Sequence, residues 1–324
     1  MKILKKAHLG FLLAACIMAP GVASAAYPEQ PIKLIVGFPP GGGGDLYGRL
    51  VAQEMGKSLG QTVIVENRAG AGGNIAADVV AKAKPDGYTL LLAMSGNFAV
   101  AQAVRGTSLA YKVPQDFEPI GLILESPIGV FVAHNSPYKT LQDLIAAAKG
   151  KSMTYASTGT GGAGHLDMEM VKQAAKVNML HVPYRGSGPA ITDMMGGSVD
   201  SFLTTASPLI GQVRQKQLRL LAIGSPRRNP ALPDVPTFME SGVNVEVEQW
   251  YGLVAPACTP PEIVKTLSRH LSMALAAPNV RSVIRKDGAL ERDVPMSEFK
   301  NYILQDIERY KSVVTPELLK EISP

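Results

Sequence analysis

From residue 32 onward the chain repeats one phrase: a short apolar run, a loop of small residues, and a segment whose apolar positions recur every three or four residues. "IKLIVGF" leads into "PPGGGGD" and a helix expected over 46–59. "TVIVEN" leads into "RAGAGGN" and a helix expected over 75–83, and "YTLLLAM" leads into Ser95-Gly96-Asn97. Short apolar runs bounded by turn residues read as buried strands, and their alternation with helices predicts a parallel sheet covered on both faces. In 46–59, Leu46, Leu50, Val51, Met55 and Leu59 share one face and are read as core. Asp45 and Asn74 stand where helix N-caps belong.

A second round begins near Ile128 with "IGVFVAHN" and the helix "TLQDLIAAAKG", opened by Thr140 and Asp143 as a capping box. "KSMTYAST", the loop "GTGGAG", a helix from about 165 and the strand "MLHVPY" follow. A helix, turn and strand in "ITDMMGGSVDSFLTT" and a strand in "LRLLAIG" complete the unit. The tail holds two helices. "TPPEIVKTLSRHLSMALAAP" is expected to open with Thr259 as cap, Pro260 in the first turn and Glu262 as capping-box acid. "SEFKNYILQDIERYKSVV" carries Phe299, Tyr302, Ile303 and Tyr310 on one stripe. The fold class expected is α/β, with two doubly wound lobes joined by a two-strand hinge near 125–127 and 245–250. Lobe 1 is expected over 26–127 and 248–324, and lobe 2 over 128–247.

Composition adds little to this picture, since 46% apolar and 18% charged residues are ordinary for a globular protein. The first 25 residues change it more. Lys2, Lys5 and Lys6, an apolar run over 9–19 and Ala23-Ser24-Ala25 read as a signal peptide cut before Ala26 or Tyr27, which implies export to the periplasm. "LAAC" at 13–16 is a competing lipoprotein site, disfavoured because cleavage there leaves an apolar mature end. Removing three lysines and no acid lowers the formal charge from +5 to +2, so nucleic acid is not indicated. Cys258 is then the one cysteine left, which excludes an internal disulfide. It is read as a small buried residue.

Bare backbone at helix starts is the candidate chemistry. Neither glycine loop carries the Lys-Ser/Thr of a nucleotide-binding P-loop. Both can offer unpaired N–H groups at the positive end of a helix, which suits a small carboxylate. Glycine reaches positive φ freely, so Gly43→Val is expected to penalise any positive-φ conformation in this loop. "GTGGAG" matches GxGxxG, but the following strand ends in Tyr184-Arg185 and not in an acid that would hold a ribose. No GxSxG is present, and His134, His165, His181 and His270 show no metal spacing, so neither cofactor nor metal is expected. Asp45 caps its helix or faces a ligand's ammonium group, with capping favoured. Trp250, the one tryptophan, is expected near the hinge with a solvent contact that closure alters.

These segments resemble the substrate-binding proteins of tripartite tricarboxylate transporters, the Bug receptors. The resemblance rests on "YPEQPIKLIVGFPPGGGGD", "GQTVIVENRAGAGGNIAADVVAKAKPDGYTLLL", "DFEPIGLI", "YASTGTGGAGHL", "HVPYRGSGPAITDMMGGSVD", "LRLLAIGSPRRNPALPDVPTFMESG" and "WYGLVAPACTP", in order along nearly the whole mature chain. It implies a type II periplasmic binding protein that closes on an organic acid and hands it to membrane permease subunits, as a monomer. It also implies a cleft lined by Phe38, Gly41, Gly42, Gly43, Gly44, Asp45, Ser95, Ser157, Thr158, Gly159, His165 and Asp200, with Tyr184 a weaker member. Two positions depart from the family pattern: Gly44 stands where Thr is usual, and Cys258 where "APAGTP" has Gly. A ligand sensor for a membrane kinase and a dinucleotide-dependent enzyme are the competing functions.

Overall fold

The computed structural model describes residues 27–290 and 294–322, so the expected leader lies outside the described residues. Nine strands form one mixed sheet: β1 (Ile32–Val36), β2 (Val63–Asn67), β3 (Thr89–Met94), β4 (Phe117–Ala133), β5 (Thr154–Ser157), β6 (Leu180–Pro183), β7 (Ser201–Thr205), β8 (Leu218–Ile223) and β9 (Glu248–Pro256). Their order is β2-β1-β3-β9-β4-β7-β5-β6, with β8 also paired to β4. β1 lies parallel between β2 and β3, and β5 lies parallel between β6 and β7. β4 and β9 run antiparallel to their neighbours, which makes each half a parallel trio with an antiparallel strand beside it.

β4 ties the halves together. Its residues Phe117 to Pro127 pair with β9, and from Ile128 onward it pairs with β7 and β8. The return crossing runs through Val247, whose amide donates to the Gly224 carbonyl at 3.1 Å just before β9 begins. The apolar pattern locates only the second part of β4, because Pro119, Gly121 and Pro127 break the reading of a 17-residue strand. Register shifts at Pro119/Gly121 and Leu122/Leu124 absorb these interruptions.

Helix starts account for most of the local differences from expectation. The first helix is Gly43–Leu59, so Asp45 lies inside its first turn and Gly42 is the N-cap. Its buried face is accordingly Gly44, Tyr47, Gly48, Val51, Ala52 and Met55, while Leu46 is 45% exposed. The second helix is Asn74–Ala81 with Gly73 as N-cap, so Asn74 is also inside. Thr259 spends its hydroxyl on the Pro256 carbonyl (2.7 Å), and Pro260 is the N-cap of Pro261–Ala276. The Thr140–Asp143 capping box forms as the sequence predicts. Helix Met296–Lys311 buries Phe299, Ile303, Ile307 and Tyr310.

Two further expectations are corrected. Cys258 is exposed, in a turn after β9 at φ +65°, a left-handed conformation that glycine reaches without strain. Trp250 is 0% exposed, packed against Phe98, Phe299 and Tyr302, with Nε1 donating to Asp306 Oδ2 at 2.7 Å. It has no solvent contact for a closure to alter.

Candidate ligand-binding cleft

The carboxyl ends of the parallel strands in both halves face one cleft with a volume of about 630 Å³. From the first half it is lined by the loop after β1 (Phe38, Pro39, Pro40 and Gly42 to Gly44), by Ala71, Gly72 and Asn74 after β2, and by Met94 and Gly96 at the end of β3. The second half supplies Thr158 and Thr160 to Gly164 after β5, Arg185 to Ser187 after β6, and Thr204 and Thr205 of β7. Ile128 of β4 and Gln249 and Tyr251 of β9 lie between. This is where open α/β sheets hold ligands, because strand-end loops diverge at the point where strand order reverses.

Four helices start at this cleft: Gly43–Leu59, Asn74–Ala81, Ala163–Ala175 and Ser187–Met195. Their N-caps are Gly42, Gly73, Gly162 and Gly186, and none receives a side-chain cap. Thr140, at a helix start that does not line the cleft, carries a full capping box. Apart from Asn74, whose amide donates to the Ala71 carbonyl, and His165, whose amide donates to the Gly162 carbonyl at 3.1 Å, the first N–H groups of these helices receive no cap, and the helix dipoles add positive potential. Among the described residues no Asp or Glu lines the cleft, whereas Arg105 and Arg185 do. The surface is built to receive negative charge.

Behind the first loop, Asp45 acts as a brace. Its Oδ2 accepts the Gly41 amide at 3.0 Å, and its Oδ1 accepts Asn67 Nδ2 at 2.9 Å and pairs with Arg49 at 2.9 Å. Asn67 also donates to the Phe38 carbonyl at 3.0 Å, so one cluster fixes both ends of the loop. Arg49 and the Gly41 amide outweigh burial and hold the Asp45 carboxyl down at about 2. The residue that needs positive φ is Gly41, at +89°. Gly43 is helical, and what crowds a side chain there is proximity: a Cβ would stand 2.9 Å from Tyr251 Oη, so the ring would have to shift.

A second brace lies behind the loop after β5. Ser157 Oγ accepts the Gly159 amide at 3.2 Å, donates to the Gly159 carbonyl at 3.1 Å and lies 2.6 Å from His181 Nε2. His165 Nδ1 accepts the Gly161 amide at 3.1 Å, and its fully buried ring stacks on His181 at 3.8 Å. Burial, with His181 second, pushes the His165 pKa down to about 4, so the ring is neutral near pH 7. Glu321 Oε1 approaches His165 Nε2 at 3.4 Å and His181 Nδ1 at 3.3 Å. Sequence spacing does not foretell this cluster of two histidines and a carboxylate. It is not arranged for a metal. With Nδ1 accepting an amide, the His165 proton sits on Nε2, and stacked rings cannot both aim in-plane lone pairs at one ion.

The residues singled out from sequence thus fall into three groups. Phe38, Gly42, Gly43, Gly44 and Thr158 line the cleft, while Gly41 borders an adjoining groove with Ser126 and Ser207. Asp45, Ser157, Gly159 and His165 stand behind the loops, and Ser95 is buried beside Met94 with no partner for its hydroxyl among the described residues. Tyr184 donates to Asp193 at 2.8 Å. Asp200 accepts the amide and hydroxyl of Thr154 at 2.8 and 2.9 Å, at the end of β5 and β7 away from the cleft. Arg105, Gln249 and Tyr251 line the cleft without any signal in the sequence pattern. Arg185 is detectable only as the residue that closes a strand where a ribose-binding acid is missing.

Two like-built half-sheets joined by β4 and β9, with glycine-capped helix starts on both sides of a cleft, define a bilobal solute-binding receptor. The chain belongs to the tripartite tricarboxylate transporter receptor family, whose profile matches residues 47–318. It is 35% identical over 313 residues to protein BugT of Bordetella pertussis, which covers 95% of each chain. Among solved structures it is similar to MatC of Rhodopseudomonas palustris with bound malate, at 32% identity and a TM-score of 0.80 over 89% of this chain and all of that one. A second R. palustris protein, solved with adipate, gives 30% identity and a TM-score of 0.82 over 91% and 98% of the two chains.

Proposed function

We propose that the protein is a periplasmic receptor that takes a small organic carboxylate into the cleft between its lobes and delivers it to a membrane transporter of the tripartite tricarboxylate type. The observation that carries this reading is the set of four glycine-capped helix starts, two from each half, facing a cleft with two arginines and no acid among its described lining residues. An anion there is held by backbone amides that need not reorganise. Related receptors of the same fold hold malate and adipate.

In this reading Phe38, Gly42, Gly43, Gly44 and Thr158 touch the ligand. Gly41, Asp45, Ser95, Ser157, Gly159 and His165 hold the loops, and Tyr184 and Asp200 brace the second half. The lobes are 26–127 with 248–324, and 128–247, and the first 25 residues are an export signal. The protein acts as a monomer, without cofactor or catalysis. A thermal-shift screen of organic acids, amino acids, sugars and dinucleotides tests it. A ligand at a hundredfold excess over Kd adds about 2.7 kcal/mol of stability, a clear rise in Tm. A rise with carboxylates supports the receptor, and a rise confined to sugars or dinucleotides overturns it.

A further inference from the structure

Helix Pro316–Ile322 stands behind one of the cleft loops and touches it at two points. Ile322 lies on Gly161, where a Cβ would meet its Cγ2 at 2.7 Å, and Gly161 holds φ +72° in the loop that lines the cleft. Glu321 presents Oε1 to His165 Nε2 at 3.4 Å and to His181 Nδ1 at 3.3 Å. His165 Nε2 is buried without a full hydrogen bond among the described residues, so this carboxylate is what steadies its proton. Glu169 Oε1 also lies near, at 3.9 Å, but it is taken by Lys172 at 2.6 Å and by the Tyr155 hydroxyl at 2.7 Å. A countercharge on the Nε2 side keeps the proton there and leaves Nδ1 bare for the Gly161 amide. Through His181 and Ser157 the same carboxylate reaches Gly159, earlier in the loop. The chain arrives at this helix from the other half. Helix Met296–Lys311 packs Phe299 on Trp250 and donates from Tyr302 to Glu125, and only the short turn 312–315 separates the two helices.

We propose that Glu321 and Ile322 are positioning residues for the ligand, acting through the loop after β5, so that docking of the last helix and capture of the ligand strengthen each other. This rests on the carboxylate reading above. With the helix docked, Gly159 and Gly161 are held by their amides, and the start of Ala163–Ala175 faces the cleft before any ligand arrives. With it undocked, a loop of glycines regains its freedom and the ligand must order it at a cost in affinity. Such coupling is reciprocal, since the factor by which docking raises ligand affinity is the factor by which ligand favours docking. The Glu321 side chain is 49% exposed, so its replacement leaves no cavity and separates positioning from folding.

Hydrogen exchange and titration calorimetry on the mature protein test this, with malate and adipate as probes. Without ligand, Glu321→Ala and Ile322→Ala should each speed exchange in 158–164 at least about tenfold, while 38–45 in the first-half loop exchanges as in the parent. Affinity for whichever acid binds should fall between about fivefold and fiftyfold. Glu321→Gln, which keeps an acceptor oxygen, should recover part of both losses, and Lys320→Ala, at an exposed position of the same helix, should change neither. Saturating acid should slow exchange in 316–322 of the parent more than in 261–276, a response that a purely structural role of the last helix does not give. Unchanged exchange in 158–164, a loosened loop with undiminished affinity, or a 316–322 segment that ignores a bound acid each overturns the proposal and leaves the receptor reading intact. If the parent binds no carboxylate, the coupling and the receptor reading fall together.

Discussion

At Gly43 the anion loop and strand β9 come within one side chain of each other, and substitutions separate space from backbone conformation there. Valine at 43 places its Cβ against Tyr251 Oη at a helix start that lines the cleft. Gly43→Val should lower carboxylate affinity by at least about tenfold and cost on the order of 1–3 kcal/mol of stability through overpacking. Its neighbour gives the control. A Cβ on Gly44 meets Met94 Sδ at 3.5 Å and Leu92 and Val36 at 3.6 Å, ordinary contacts that point at the sheet. Gly44→Ala turns its methyl toward the sheet and keeps the Gly44 amide that faces the ligand, so it should lower affinity far less than Gly43→Val and gain up to about 1 kcal/mol from helix propensity. Titration calorimetry with thermal melts reads both, and undiminished affinity in a folded Gly43→Val would show that this helix start does not hold the ligand. Cys258 makes a further residue-scale point. As an exposed thiol held at φ +65° it should react completely with a thiol reagent in the native protein. Cys258→Gly should remove backbone strain of roughly 1 kcal/mol, partly offset by the entropy of glycine, and so melt no lower than the parent.

Among the elements, those with an unbroken period are the ones legible in the sequence. β1, β3 and the helix Leu141–Gly150 follow directly from apolar runs and a capping box. The first part of β4 is not legible, because its prolines and Gly121 are tolerated only through register shifts that a partner strand provides. Asp45 and Asn74 mislead for a related reason: a polar residue near a helix start signals a cap, yet here glycines cap and the polar side chains serve the loops. Contacts made across the fold were out of reach, above all those of the last helices. Tyr310 of Met296–Lys311 donates to Asp167 of Ala163–Ala175 at 2.9 Å, and Asp167 is fully buried with its second oxygen unpaired among the described residues. Burial outweighs the pull of Arg309 and pushes the Asp167 pKa up to about 7. The folded state then holds a proton between about pH 4 and 7 that the unfolded chain has lost. The resulting penalty is absent below about pH 4, grows as pH rises and is complete above about 7. Asp167→Asn keeps an acceptor for Tyr310 and removes the charge, so it should be more stable than the parent by on the order of 1–3 kcal/mol at pH 8, with the difference vanishing near pH 4. Urea titrations across that range check the sign, and a difference that grows toward acid would refute it.

The molecule as a whole is two copies of one plan hung on β4 and β9, and its C-terminal segment is shared between them. Helix Met296–Lys311 belongs with the first half through Phe299 against Trp250 and through Tyr302, whose hydroxyl donates to Glu125 Oε1 at 2.6 Å. Through Tyr310 it also reaches the second half, and helix Pro316–Ile322 places Glu321 against the two histidines there. A closure of the proposed lobes about the crossing points at 127/128 and 247/248 would bend the strands there while the packing around the last helices slides. Trp250 lies two residues from the second crossing, yet its neighbours Phe98, Phe299, Tyr302 and Asp306 come from the first half and from the helix packed on it. In such a closure these surroundings are expected to move as one body. Ligand at saturation is expected to reduce the radius of gyration in small-angle scattering while the emission maximum of Trp250 stays where a fully buried indole puts it. A red shift on binding would mean that water reaches the ring, and would place the bending between Trp250 and the helix Met296–Lys311 instead of at the strand crossings. An unchanged radius of gyration with a ligand that binds would mean that the cleft receives its anion without closing.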